Sequence, residues 1–377
     1  MKVIFAGGGT AGHVYPGLSV AEALRALQPD VRMIYAGTGD AEEERIVRAA
    51  GLRYTSVPAT GVRGRSPVRA ARSMATIATG TERAVRLLAH LAPDAVFATG
   101  GYGSVPVALA AGIRRVPLVL FLPDVYPGWA VRFTARWATA LATTTEAALE
   151  FLPFGKTRVT GYPVRHAFFA IDRQRARDRT GLPPRVPVLL VTGGSSGAVS
   201  LNTAFARHLP QFTTLAHVVH LTGHRDEARM LEYRGRLTEA QQSRYRVQAY
   251  ADDMPALMAS ADLAITRAGA STLGELPAVG LPAVMMPLQQ VSSDQVRNAR
   301  FLESQGAAVT IDGEAAADQL YAAVQGILTD TERLAAMRRA MTGLARADAA
   351  RDIARLIVES ADTDVVAEEQ TPVGGEP

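Results

Sequence analysis

Four times in this chain a short unbroken apolar run ends in a glycine-bearing turn that opens a helical pattern. Val3–Ala6 runs into GGGTAGH (Gly7–His13), and Ala95–Thr99 into TGGYGSVP (Thr99–Pro106). Val188–Val191 runs into TGGSSGA (Thr192–Ala198), and Leu263–Thr266 into RAGASTLGE (Arg267–Glu275). Apolar runs that do not alternate with polar residues suit strands covered on both faces, as in parallel sheets. Parallel strands need a crossover of a dozen or more residues, usually a helix, so this punctuation confines the chain to the α/β class.

The rest of the sequence keeps the same order. Val31–Ala36, Tyr54–Val57, Leu118–Leu122 and Leu141–Thr144 complete a first series of strands, with helical patterns such as Gly17–Leu27 and Ala41–Ala50 between. Val218–Leu221, Val247–Tyr250, Ala283–Met286 and Ala308–Ile311 complete a second. Two doubly wound, Rossmann-like domains facing across a cleft are expected, with ligands at the carboxyl ends of the strands. The length, 377 residues, agrees, being too great for one ordinary core. The linker is placed in Gly161–Ile171, giving domains over 1–163 and 164–348, a last helix over 349–360 and a disordered, acidic, Pro/Gly-bearing tail over 361–377.

Composition narrows the chemistry. The absence of cysteine removes disulfides, thiolate metal sites and a cysteine nucleophile, and fits a cytosolic protein. No secretory leader or membrane span is expected, since no uninterrupted apolar stretch approaches ~20 residues. The net charge of +4 is unevenly spread. Arg63, Arg65, Arg69, Arg72, Arg83 and Arg86 stand between Gly61 and His90 against the single acid Glu82, interleaved with Val62, Val68, Met74, Ile77, Val85 and Leu88. A solvated helix face and a surface for anionic lipid both fit this pattern. Nucleic acid fits less well, because aromatics for base stacking are missing.

Each glycine turn can present backbone N–H groups at a helix start, where the dipole favours phosphate. Gly7-Gly8-Gly9-Thr10-Ala11-Gly12 meets the G-x-G-x-x-G spacing of a dinucleotide fold. Such a fold also wants an acid at the end of the second strand. Here Asp40 lies too far past that strand, and the His-x-x-Pro tail of the loop has no part in nicotinamide binding, so an oxidoreductase ranks low.

The stretch GGGTAGHVYPGLSVAEAL resembles the opening of the MurG family of peptidoglycan glycosyltransferases. The likeness continues through GVRGRS, ATGGYGSVPVALAA, GYPVR, GGSSGAVSLN, YADDM, RAGASTLGE and DQVRNA, in family order over nearly the whole chain. It implies a GT-B fold and an inverting hexosyltransferase, without a cofactor or metal. N-acetylglucosamine would move from its UDP derivative to undecaprenyl-diphospho-muramoyl-pentapeptide, at the cytoplasmic face of the membrane. By position, Glu275 would hold the ribose hydroxyls and Ala251 would meet uracil through its backbone. Ser195 and the helix start Ala270, Ser271, Thr272, Leu273 and Gly274 would lie along the diphosphate, with Arg165 adding to the nucleotide site. Thr10, Ala11 and Gly12 would face the donor from the other domain. Gly100, Gly101, Tyr102 and Ser104 form the loop assigned to acceptor or phosphate.

Departures from the family gather at the sugar end. FLPDVYPG places Asp124 where the family ends a His-Glu-Gln-Asn run, Tyr162 replaces an asparagine, and Asp294 replaces a histidine or glutamine beside Gln295. UDP is therefore better supported than the identity of the sugar. Gln289, Gln290 and Gln295 suit either sugar hydroxyls or helix caps. Transfer needs a base for the attacking hydroxyl and stabilisation of the leaving diphosphate. His13 is the first candidate base, because imidazole titrates near neutrality, and Asp124 is its rival. Asp252-Asp253 reads as a turn or cap, His217, His220 and His224 as structural or surface residues, and Trp129 and Trp137 as packing of the first domain, or one of them as a contact to lipid or sugar. Three alternatives remain: transfer to another lipid of the diacylglycerol type, a UDP-sugar epimerase on the same fold, and a silent nucleotide-sugar binder.

Overall fold

The computed structural model describes residues 1–8, 11–61, 67–153, 155–194, 197–288, 294–312 and 316–369. The chain divides into two compact units, the first holding Met1–Pro163 together with the chain from Asp348, the second Val164–Ala347.

The first unit carries strands β1 (Lys2–Ala6), β2 (Arg32–Gly37), β3 (Arg53–Ser56), β4 (Ala95–Ala98), β5 (Leu118–Leu122), β6 (Ala140–Thr143) and β7 (Thr157–Val159). They form one sheet in the order β3-β2-β1-β4-β5-β6-β7, every pairing parallel. The second unit carries β8 (Val188–Thr192), β9 (His217–Leu221), β10 (Tyr245–Gln248), β11 (Leu263–Thr266), β12 (Ala283–Met285) and β13 (Ala308–Thr310), ordered β10-β9-β8-β11-β12-β13. Each sheet reverses its winding once, between β1 and β4 and between β8 and β11. Ala6 pairs with Ala98, and Thr192 with Thr266. The four glycine turns therefore emerge as two neighbouring pairs, one at each reversal, where doubly wound sheets bind ligands.

The strands are apolar because helices cover both faces. Ile4, Val96, Leu118 and Leu120 are fully buried in the first core, and Leu189, Phe205, Phe212 and Ile265 in the second. Each such side chain contributes roughly 1.5–3 kcal/mol. Three details depart from the sequence reading. β7 was not expected; it is a short polar edge strand, and edges carry little apolar signal. β10 begins at Tyr245 rather than Val247, since Tyr245 pairs with Val218 and is buried, while Arg246 hid the run. The last helix runs Ala349–Glu369, so the tail is not disordered from 361: no Gly or Pro interrupts the chain before Pro372. Ile353, Ala354 and Ile357 are fully buried on this helix, which packs on helix Ala11–Leu27 of the same unit. Among the described residues no helix is long and apolar enough to cross a membrane.

Candidate functional site

In the first unit, the helix after β1 starts at Ala11 and contains Pro16. A proline donates no N–H, so the carbonyl four residues earlier, that of Gly12, loses its helical partner. The Tyr162 hydroxyl replaces it, donating to Gly12 O at 3.0 Å. Tyr162 is 4% exposed and packs edge-on against Phe121 at 5.8 Å. Tyr162 thus ties the segment after β7 to the first glycine turn. Removing the hydroxyl in Tyr162→Phe is expected to cost about 1–3 kcal/mol, read by urea denaturation, and to lower kcat through the adjoining His13.

His13 is half-buried. Its carbonyl accepts from Thr99 Oγ1 at 2.8 Å, and its ring lies over the start of helix Gly101–Arg114. A Cβ on Gly101 would come 2.8 Å from His13 Nε2, and Gly101 has φ +70°, so only glycine suits this position. Burial lowers the imidazole pKa, and Nδ1 is enclosed with no hydrogen-bond partner among the described residues. Burial thereby favours the neutral form of the ring. Its rival Asp124 is half-buried and follows Pro123, whose ring would lie 3.5 Å from a Cβ on Gly100. Both candidate bases therefore border the turn after β4. Ser104 secures that turn, its hydroxyl donating to Gly100 O at 2.9 Å and Gly101 O at 3.1 Å. Tyr102 is half-buried on the same helix.

A buried carboxylate that the sequence reading missed lies beneath the first turn. Glu43 is 5% exposed. It accepts from Thr38 N and Thr38 Oγ1, both at 2.9 Å, and from the Tyr54 hydroxyl at 3.2 Å. A Cβ on Gly8 would lie 2.4 Å from Glu43 Oε2. Asp40, weighed above as a ribose ligand, caps the helix Ala41–Ala49 by accepting from Glu42 N and Glu43 N at 3.0 Å. The available signal was Glu43 four residues before buried Val47, on the inward face of that helix.

In the second unit, Glu275 sits in the first turn of helix Thr272–Val279, behind β11. Burial pushes its carboxyl up to about 7, against the lowering influence of the Arg165 guanidinium and of a hydrogen bond with Ser271. Arg165 itself rests 5.3 Å over the Phe168 ring. The amides of Thr272, Leu273 and Gly274 already donate to the carbonyls of Gly269, Ala270 and Ser271 at 3.0–3.1 Å. Of the helix start expected along a diphosphate, Ala270 and Ser271 keep the available amides. Asn298, fully buried, holds the turn by donating to Ala268 O at 3.0 Å. Gln295 accepts from Leu288 N at 3.0 Å, so its amide oxygen serves its own loop, next to the half-buried Asp294 at the helix start. Ala251 is half-buried between β10 and helix Met254–Ser260. Asp253 caps that helix by accepting from Ala256 N at 3.2 Å, the cap expected from the sequence.

His220 is structural. It is fully buried, and burial lowers its pKa to about 3. Asn202 donates through Nδ2 to Thr222 O at 3.0 Å and Asp226 Oδ2 at 2.7 Å, which leaves its Oδ1 to accept from His220 Nε2 at 3.0 Å. Nδ1 then accepts from the Tyr245 hydroxyl at 2.9 Å. This chain sets the loop after β9 against the helix after β8.

Gly9, Thr10, Val62–Ser66 with Arg63 and Arg65, Ser195, Gln289 and Gln290 lie outside the described residues, as do the side chains of Ala11 and Arg69. Arg72, Arg83 and Arg86 are exposed on helix Pro67–Leu91, where Arg86 pairs with Glu82. Trp129 and Trp137 are each 36% exposed rather than packed away. They flank Phe133, and Arg136 stacks on Phe133 and Trp137 at 4.6 and 5.0 Å.

Residues 3–143 match the family model of the glycosyltransferase family 28 N-terminal domain, and residues 188–355 that of its C-terminal domain. The chain is 38% identical, over 95% of its length and 94% of the relative's, to a protein of Roseiflexus sp. (strain RS-1). That relative is named UDP-N-acetylglucosamine--N-acetylmuramyl-(pentapeptide) pyrophosphoryl-undecaprenol N-acetylglucosamine transferase. A protein of the same name from Desulforudis audaxviator is 37% identical over 92% of this chain and 95% of its own. Among solved structures, Acinetobacter baumannii MurG superposes with a TM-score of 0.72 at 24% identity, covering 95% of this chain and 99% of that one. The UDP-GlcNAc 2-epimerase of Neisseria meningitidis superposes with 0.66 at 14% identity, covering 96% of this chain and 100% of that one. Likeness at such identities speaks to the fold alone, which is the expected GT-B arrangement of two parallel-sheet domains.

Proposed function

The chain belongs to glycosyltransferase family 28, and from that premise we infer that it transfers N-acetylglucosamine from UDP-N-acetylglucosamine to undecaprenyl-diphospho-muramoyl-pentapeptide. The observation that carries this reading is identity of 38% spread over 95% of the chain with a relative of that name. In this reading the second unit holds UDP, with Glu275 on the ribose and the amides of Ala270 and Ser271 on the diphosphate. The first unit takes the acceptor beside His13, Asp124 and the Gly100–Ser104 turn. His13 removes the proton of the attacking hydroxyl, the new glycosidic bond forms as the bond from the anomeric carbon to the diphosphate breaks, and the configuration inverts. Oriented amides stabilise the departing charge.

Transfer of radiolabel from UDP-N-acetylglucosamine to the lipid-linked muramoyl acceptor tests the reading, and label entering the lipid phase is expected. Label that enters only when diacylglycerol is the acceptor, or conversion of the donor to its 2-epimer without any acceptor, would overturn it.

A membrane-borne acceptor also requires the first unit to reach a bilayer from the cytoplasmic side. Met74 (56% exposed) on helix Pro67–Leu91 and Ile113 (63% exposed) on the adjoining helix Gly101–Arg114 support such a surface. Exposed Arg72, Arg83 and Arg136 and the half-open Trp137 add to it. Apolar side chains among arginines suit an anionic interface. Sedimentation with phosphatidylglycerol vesicles is expected to retain the protein at low salt and release it at high salt. An Ile113→Glu, Trp137→Glu double variant is expected to lose retention by about tenfold. Equal retention of this variant would place the contact elsewhere.

A further inference from the structure

A cavity of about 350 Å³ lies on the outer edge of the second unit's sheet, walled by β10 and helix Glu227–Gly235. It is remote in the topology from the reversal between β8 and β11, because β9 intervenes. Arg234 and Arg246 line it, with His217, Gln242 and Ser243; the Ser243 hydroxyl donates to Ala240 O at 2.8 Å and the Gln242 amide to Leu237 O at 2.9 Å. Arg234 donates to Tyr245 O at 3.0 Å and Gln242 O at 3.2 Å, Arg246 to Thr180 O at 2.9 Å, and neighbouring Arg244 to Thr214 O at 3.2 Å. All these acceptors are neutral carbonyls. A guanidinium has five donors, so several on each remain.

Of the acids close by in sequence, Glu239 is exposed on the helix Glu239–Gln242, and three others are engaged elsewhere. Asp226 pairs with Arg229, Glu232 with Arg236, and Glu227 accepts from Ala249 N. Among the described residues, none of Arg234, Arg244 and Arg246 meets a carboxylate. Burial first, then the charges of Arg246 and Arg244, hold the His217 imidazole below its ordinary pKa, as a local excess of positive charge would. One wall is different: Leu231 is 47% exposed beside Val247, while the Tyr245 hydroxyl is turned inward to His220.

We propose that this cavity is a second ligand site, taking a small organic phosphate whose anionic end meets Arg234 and Arg246, with Ser243 at the rim, and whose ring lies on Leu231 and Val247. The volume, at the lower end of ligand sites, matches a small organic phosphate. Paired guanidinium forks are suited to phosphoryl oxygens.

Calorimetric titration of the full chain with phenyl phosphate and with inorganic phosphate tests the site, each with and without saturating UDP. Phenyl phosphate is expected to bind one per chain whether or not UDP is present, at least tenfold more tightly than inorganic phosphate, and more weakly as salt rises. Ser243→Glu, which adds a charge at an exposed rim position, is expected to weaken it at least tenfold. Arg246→Gln should do the same, and if that variant does not fold, Ser243→Glu still decides. Absence of saturable binding, displacement by UDP, or binding unchanged in Ser243→Glu would overturn the site. The proposal stands apart from the transferase reading, since a chain that failed to bind UDP could still bind phenyl phosphate here.

Discussion

His13→Ala is expected to lower kcat by about 10²–10⁴ while leaving the KM for the UDP-sugar nearly unchanged. The ring belongs to the first unit, where it lies over Gly101 with its carbonyl tied to Thr99, so its loss removes the proposed base and leaves Glu275 and Arg165, the proposed nucleotide ligands of the second unit, untouched. Burial lowers its pKa from 6.5. The neutral, proton-accepting form therefore persists to a lower pH than for a free imidazole, and the acid limb of kcat should have its midpoint below 6.5. Partial rescue by added imidazole is expected, since the space vacated beside Gly101 has the shape of the ring. Near-normal turnover in His13→Ala would remove it as the base. Asp124→Asn would then have to bring the loss instead.

Glu275→Gln is expected to separate binding from stability. A carboxyl raised from 4.5 to about 7 binds its proton more tightly in the folded than in the unfolded chain. Its contribution to stability is present in full below pH 4.5 and is lost as pH rises through 7. At pH 8 the buried carboxylate is a burden, and glutamine relieves it by about 3 kcal/mol, visible as a higher Tm at pH 8 and no gain at pH 4. The same change removes the charged acceptor proposed for the ribose hydroxyls, and UDP affinity should fall at least about tenfold. In the parent protein UDP binding should weaken as pH drops below 7. The acid limb of kcat/KM, which reports the free enzyme, should accordingly lie near 7, above that of kcat. Coincident limbs, or a Tm at pH 8 unaffected by Glu275→Gln, would show that Glu275 does not sit in the environment described.

Much of this molecule is written locally. Leu118–Leu122 and Leu263–Thr266 are strands with the expected bounds, because an apolar run between turn residues has few other uses. Asp253 is legible as a cap for the same reason: its partner is three residues away. β7 and Glu43 were not legible. An edge strand needs no apolar run, and Glu43 reads as one of three successive surface glutamates until the helix face it occupies is known. The linear pattern of G-x-G-x-x-G meets the dinucleotide spacing, and that reading ranks low because Asp40 lies past the second strand. The structure uses Asp40 to cap helix Ala41–Ala49, and buries Glu43 beneath Gly8, bound to Thr38 and Tyr54.

By itself the sequence determined the two α/β units, their glycine turns and the residue types at the turns, since strand burial and helix starts depend on neighbours a few positions apart. Tertiary structure alone decided which turns stand together. β1 meets β4 and β8 meets β11 only through sheet order, which sets the first turn beside the second and the third beside the fourth. It also decided which side chain satisfies the carbonyl orphaned by Pro16. Any buried donor would serve, and the one that does, Tyr162, arrives from far along the chain. Unmet hydrogen bonds and buried charges are settled by whatever the fold brings within reach, and no local pattern records that partner.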